Sequence, residues 1–170
     1  MKDKWIIKIF ILTFILAVIF GTIATLISNV NNVVLAIILF LVIFIGIIFD
    51  MIGVSVLTSK EEGFHALASK KKYGAKECIT LLRNSAKISS ICNDVIGDIC
   101  GILSGTLGAT LAVAISYTSK INIAIISIVV ASVISTLTVG GKAIGKNIAV
   151  KKCDKIVLIV GKIKKSLKIK

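Results

Sequence analysis

The residues best suited to chemistry lie in one apolar stretch, SSICNDVIGDICGILSGTLG, running from Ser89 to Gly108. It carries Asn93, Asp94 and Asp98 through sequence otherwise hydrophobic enough for a bilayer. Carboxylate, amide and hydroxyl oxygens, with no obligatory thiol or imidazole, suit a hard cation such as magnesium. The candidate metal set is therefore Ser90, Asn93, Asp94 and Asp98, joined by Asp50 from the preceding apolar run. A carboxylate costs about 2.5 to 3.5 kcal/mol at the centre of a spanning helix. Three of them at similar depth call for a ligand or a water path.

A regular helix would gather these groups on one side. At about 100° per residue, Ser90, Asn93, Asp94, Gly97, Asp98, Gly101, Ser104, Gly105 and Gly108 share an arc of roughly 140°. Ile91, Cys92, Val95, Ile96, Ile99 and Cys100 cover the remainder. The apolar face is expected to meet lipid, and the small acidic face protein or water. With entry near Ile88, Asp94 would lie about 9 Å and Asp98 about 15 Å into the hydrocarbon, and Asp50 roughly 10 Å from the same surface. Gly97, Gly101, Gly105 and Gly108 form a small-residue seam on which another helix can pack closely.

The elements that must position this face are helices. Trp5 to Ser28 is an almost unbroken apolar run, interrupted by Lys8, and is long enough to span ~30 Å of hydrocarbon. A basic start precedes it, as in a signal peptide, but no clear A-x-A site follows, so a retained helix is expected. Asn29 to Asn32 is a turn-prone break, Val33 to Leu57 a second span, Ser89 to Tyr117 a third, Thr118 to Lys120 a tight turn, and Ile121 to about Gly140 a fourth. Ser59 and Glu62 read as a capping box opening a short helix with Phe64, Leu67 and Ala68 on one side. Gly74 interrupts it, and Ala75 to Arg83 continues with Cys78, Ile79 and Leu82 as a second stripe. From Val150 onward, Cys153, Ile156, Val157, Val160, Ile163 and Leu167 recur at helical spacing among lysines, a basic amphipathic tail suited to an anionic leaflet or a partner domain.

Composition agrees with a membrane protein. Of 170 residues, 56% are hydrophobic, and the mean hydropathy is +1.03. The net charge of +13 would suggest nucleic acid in a soluble chain, yet here the lysines lie between and after the apolar runs, so no nucleic-acid partner is expected. Four cysteines, Cys78, Cys92, Cys100 and Cys153, lack zinc or disulfide spacing, and His65 stands alone. No phosphate loop or nucleophile motif is present, which argues against an enzyme. Among the basic residues, Lys120 alone falls in the outer turns, so the positive-inside rule places both termini in the cytoplasm of a multi-pass plasma-membrane protein. The expected fold is all-α, with four transmembrane helices and cytoplasmic juxtamembrane amphipathic helices.

The order of GAKECITLLRNSAK, a span opening SSICNDVIGDICGILSG, and a span ending GKAIGKNIA resembles the transmembrane domain of the CorB, CorC and cyclin M (CNNM) magnesium transport family, over about residues 33–150. In that family the loop typically reads GAxxALxLLxNPxxxLS and leads to a GN pair. Asn93 matches the asparagine, and Cys92 replaces the glycine. The family's GEIxPK pattern here reads Gly141, Lys142, Ala143, Ile144, Gly145, Lys146, so a lysine stands for the glutamate and a glycine for the proline. The family's Ser-Glu pair has Asp50 and Ser55 as its nearest counterparts.

The resemblance implies an extra N-terminal helix and turn over 1–32, a three-span core over 33–150 and a tail over 151–170. It also implies a homodimer in the lipid bilayer that transports Mg2+, with cobalt as another candidate ion. With the sequence ending at Lys170, before any CBS-domain pair, a bare module is expected, either unregulated or partnered by a separate cytosolic CBS-domain protein. Lys142 and Gly145 motivate a second expectation, a non-transporting membrane scaffold derived from the same fold. A holin-like pore former would not need the acid-bearing third span.

Overall fold

A computed structural model describes residues 2–27 and 31–167, and among these every regular element is helical. The expected break at Asn29, the end of the first span at Ser28 and the last residues of the tail lie outside the described residues, as do the side chains of Lys2, Lys4, Trp5 and Lys8. The helices are α1 (Lys2–Ile27), α2 (Asn32–Thr58), α3 (Glu61–Ser69), α4 (Ala75–Arg83), α5 (Ser85–Ser90), α6 (Gly97–Ser119), α7 (Ile123–Lys151) and α8 (Cys153–Ser166), with a π-helical segment, Ile91–Ile96, joining α5 to α6. Three helical stretches are long and apolar enough to cross a membrane: Asn32–Thr58, Ser85–Ser119 and Ile123–Lys151. Helix α1 runs for 26 residues and includes the apolar segment Phe10–Ile23.

Helix α7 continues well past the expected end near Gly140. The chain contains no proline, and a glycine costs only about 1 kcal/mol in a helix interior, so Gly140, Gly141 and Gly145 do not stop it. The consequence is that Lys142 and Lys146 are residues of α7 itself rather than of a following loop. The turn before it falls at 120–122 rather than at Thr118 to Lys120: Thr118 and Ser119 still belong to α6, which Lys120 closes in the left-handed region at φ 57°.

The chain divides into two compact units. The first comprises Met1–Ile47 and Val95–Gly141. Here Leu35, Leu39 and Ile43 of α2 and Leu107 of α6 form a buried cluster, flanked by Leu103, Leu111 and Ile134. Burial from lipid gives little hydrophobic gain, so close fit must hold such helices together. Gly108 supplies it, because a Cβ there would collide with the Ile134 side chain, and Gly141 does the same against Ile47. Hydroxyls in the apolar helices bond carbonyls one turn back, as Thr106 Oγ1 does to Leu103 O (2.9 Å) and Thr136 Oγ1 to Ser132 O (2.8 Å).

The second unit comprises Ile48–Asp94 and Lys142–Lys170. Val56, Phe64, Cys78, Leu82 and Val157 form its core, with Leu67 and Ile79 packed against it, so both predicted stripes, on α3 and on α4, face inward. Gly74 caps α4 at φ 85°, a conformation that favours glycine. The tail's apolar face docks on α4: Gly161 has Gly74 O 2.8 Å from where a Cβ would stand, and the Cys78 sulfur occupies that same space. Cys78 Sγ donates to Val157 O at 3.3 Å.

The expected capping box does not form. Lys60 is the N-cap of α3, and Ser59 Oγ instead donates to Asp154 Oδ1 at 2.9 Å. A carboxylate is a stronger acceptor than a competing backbone arrangement, and once Ser59 turns to it the helix begins one residue later.

Candidate cation site

Within the second unit, three chain segments bring polar side chains together. Helix α2 presents Asp50 and Ser55, both buried. Helix α5 and the π-helical segment present Ser89, Ser90, Asn93 and Asp94. Helix α7 presents Lys146 and the buried backbone of Ala149.

Asp50 is enclosed, at 4% exposure, and its Oδ2 has no hydrogen-bond donor. Lys146 Nζ lies 3.8 Å away, too far for a hydrogen bond. One helical turn along α2 from Asp50, Gly53 lacks a side chain, and Asn93 Oδ1 occupies the place its Cβ would take. That oxygen is also buried without a donor, while Asn93 Nδ2 donates to Ser89 Oγ at 3.2 Å. Ser55 Oγ makes a long contact to Ala149 O, 3.5 Å. Ser90 Oγ donates to Asp94 Oδ2 at 2.8 Å.

Two buried oxygens short of donors thus meet α2 on neighbouring turns, the Asp50 carboxylate from α2 itself and the Asn93 amide from the π-helical segment against Gly53. Such oxygens cost free energy unless something positive reaches them. Neither is a soft ligand, so the donor set fits a hard cation that keeps part of its water. Among the described residues no group of three or more His, Cys, Asp or Glu side chains gathers, so any cation here would rely on amide, hydroxyl and water oxygens beside the carboxylate.

The π-helical segment explains the local geometry and was not legible beforehand. Its wide turn takes an extra residue, so the side-chain phase slips between Ser90 and Gly97. The single polar arc expected from regular 100° steps is therefore broken: Gly97, Ser104 and Gly108 are buried and Ile102 is exposed as expected, but other positions change sides. Cys92 and Val95, expected toward lipid, are buried at 7% and 1% in the second and first units respectively, as are Ile99 and Cys100 in the first. Asp94 and Asp98 are exposed on the chain's surface. Asp98 stands in the first turn of α6 and belongs to the first unit, whereas Asp50, Ser90, Asn93 and Asp94 belong to the second.

The glycine seam is likewise divided. Gly97 and Gly108 are buried, the latter against Ile134, whereas Gly101 and Gly105 face open space. With Ala109, Ser127, Ala131 and Ser135 they line a groove of about 370 Å³ along α6 and α7.

Sequence reasoning missed Gly53 and Ser89. Gly53 is three residues from Asp50 and Ser89 four residues before Asn93, both helix-neighbour spacings. Lys146 entered only through the family pattern, and its partner is Asp50 rather than Asp94 or Asp98. No family model, no curated protein and no solved structure matches the chain.

Proposed function

We propose that this multi-spanning helical membrane protein is a divalent-cation transport module, with magnesium as the ion and Asp50 and Asn93 as its primary oxygen ligands. The observation that carries the reading is the pair of buried, donor-less oxygens, Asp50 Oδ2 and Asn93 Oδ1, held over a glycine that leaves room for the amide. Ser90 and Asp94, joined by their own hydrogen bond, would supply a more exposed approach. Asp98, exposed in the first unit, is left out of this ligand set. The resemblance to CorB, CorC and cyclin M transmembrane domains points to the same ion, and the lysine distribution to cytoplasmic termini. A homodimer formed through the open glycines Gly101 and Gly105, and a separate cytosolic CBS-domain regulator, complete the proposal.

Mg2+ surrenders water slowly, so a polar pocket open to partial hydration serves transport better than a closed cage. Asp50→Asn should abolish magnesium-dependent growth rescue of a transport-deficient cell while the protein still inserts. Full rescue by Asp50→Asn would count against the reading.

One observation favours a second reading, a non-transporting scaffold: Lys146 already supplies Asp50 with a positive charge. A scaffold would show no magnesium-specific stabilisation and would be recovered with a cytosolic partner cross-linked through α8.

A further inference from the structure

Helix α8 has two apolar edges, and only one of them is used inside the chain. At about 100° per residue, Val157 and Gly161 lie on the edge that docks against α4, centred about 140° from the arc holding Ile159, Ile163 and Leu167. Val157 is fully enclosed, whereas Ile159, Ile163 and Leu167 are 57%, 52% and 63% exposed. A helix whose sole purpose was to cover α4 would carry polar residues at these three positions.

The flanks of the free edge are cationic. Lys152, Lys155 and Lys162 are exposed, and Lys165 lies 4.3 Å from the ring centre of Tyr73, itself half exposed. The one acid on α8, Asp154, is engaged by Ser59 on the docked side. Lysines beside an exposed aliphatic edge, with an aromatic ring near the same end, make the pattern of a helix lying at a lipid headgroup boundary. Chain connectivity supplies the location. A single residue, Lys152, separates α8 from α7, the last helix long enough to cross a membrane, so α8 starts within one residue's reach of that helix.

We infer that the free edge of α8 is a docking surface for an anionic bilayer leaflet, with Ile159, Ile163 and Leu167 entering the acyl boundary and Lys155 and Lys162 binding lipid phosphates. Helix α8 then joins the membrane surface to the α3–α4 layer through the glycine contact at Gly161. The inference does not depend on the cation site.

The full-length protein, carrying Cys153→Ser and a fluorophore on Ile163→Cys or on Lys155→Cys, is reconstituted in phosphatidylcholine vesicles with or without phosphatidylglycerol. Quenching by doxyl-labelled lipid and by aqueous iodide is compared. With phosphatidylglycerol, position 163 should be quenched by the doxyl lipid and shielded from iodide, while position 155, at the level of the phosphates, stays more open to iodide than position 163. Lys155→Gln with Lys162→Gln should shift the 163 label toward iodide, by about fivefold in the docking equilibrium per lysine removed. Equal iodide access at 163 and 155 in both vesicle types would overturn the inference. So would doxyl quenching indifferent to phosphatidylglycerol and to the lysine changes, or shielding from both quenchers, which would mean a protein partner. Leu167→Cys in place of Ile163→Cys gives an independent reading should the 163 variant insert poorly.

Discussion

Lys146 Nζ sits 3.8 Å from Asp50 Oδ2, pairing a lysine whose side chain is 54% exposed with a carboxylate whose side chain is 5% exposed. The pair is asymmetric. The carboxylate depends on the lysine, while the lysine can turn to water. Lys146→Met should therefore destabilise the protein by about 1 to 3 kcal/mol by leaving a buried charge uncompensated, and adding Asp50→Asn should recover most of it. Thermal unfolding in detergent measures both. On the cation reading, millimolar magnesium should raise the unfolding temperature of Lys146→Met more than that of the unsubstituted protein, because the ion replaces the lost ammonium. An equal rise in both would detach Lys146 from the site.

Gly53 offers a sharper geometric check. A methyl at this position meets the Asn93 amide oxygen, so Gly53→Ala should displace Asn93 and cost about 1 to 3 kcal/mol by overpacking. Gly53→Ala should also lose any magnesium-dependent stabilisation.

Gly101 and Gly105 behave oppositely, since a Cβ on either meets nothing within 4 Å. Gly105→Leu should leave the single chain's thermal stability within about 0.5 kcal/mol. If the open groove is the dimer face, the same change should lower the cross-linked dimer fraction. Unchanged cross-linking would place the dimer contact elsewhere.

Cys78 titrates at a position that can be followed by stability. Burial, aided by the neighbouring Glu77, pushes its thiol from 9.0 up to about 11. The folded chain then holds the proton more tightly than the unfolded one. The contribution, of the order of 2 kcal/mol, is complete below pH 9 and is lost as pH rises through 11. The stability of the unsubstituted protein should fall between these limits more steeply than that of Cys78→Ala. Matching slopes would contradict the assignment.

Much of the helical framework was legible because length and hydropathy alone specify spanning helices, and because Phe64, Cys78 and Leu82 recur at helical spacing on elements that need a core. The candidate site was legible in its residue types but not in its arrangement. Asn93 and Asp94 were visible as costly polar groups, yet the π-helical turn that carries them depends on tertiary packing and shifts every later side chain in phase. Cys92, Val95 and Ile99 turn inward while Asp98 does not, although Gly97, Ser104 and Gly108 keep the buried side expected of them. Lys146 was hidden for a different reason: the glycines before it suggested a helix end, so the lysine was expected beyond the span rather than on it beside Asp50.

The proposed topology rests on the lysine distribution and can be read by cysteine labelling. Tyr117→Cys, at a position 85% exposed, should react with an impermeant maleimide added outside intact cells. Lys155→Cys should react only after the membrane is opened. The reverse pattern would invert the assigned orientation.

The central claim is that Asp50 and Asn93 hold a divalent cation in transit. Magnesium uptake into proteoliposomes, followed with an entrapped indicator, tests it most directly. The unsubstituted protein should show saturable uptake, and Asp50→Asn and Asn93→Ala should each reduce it at least tenfold, about 1.4 kcal/mol or more, with the protein still folded. Uptake unchanged in both variants, or absent in the unsubstituted protein, would contradict the account.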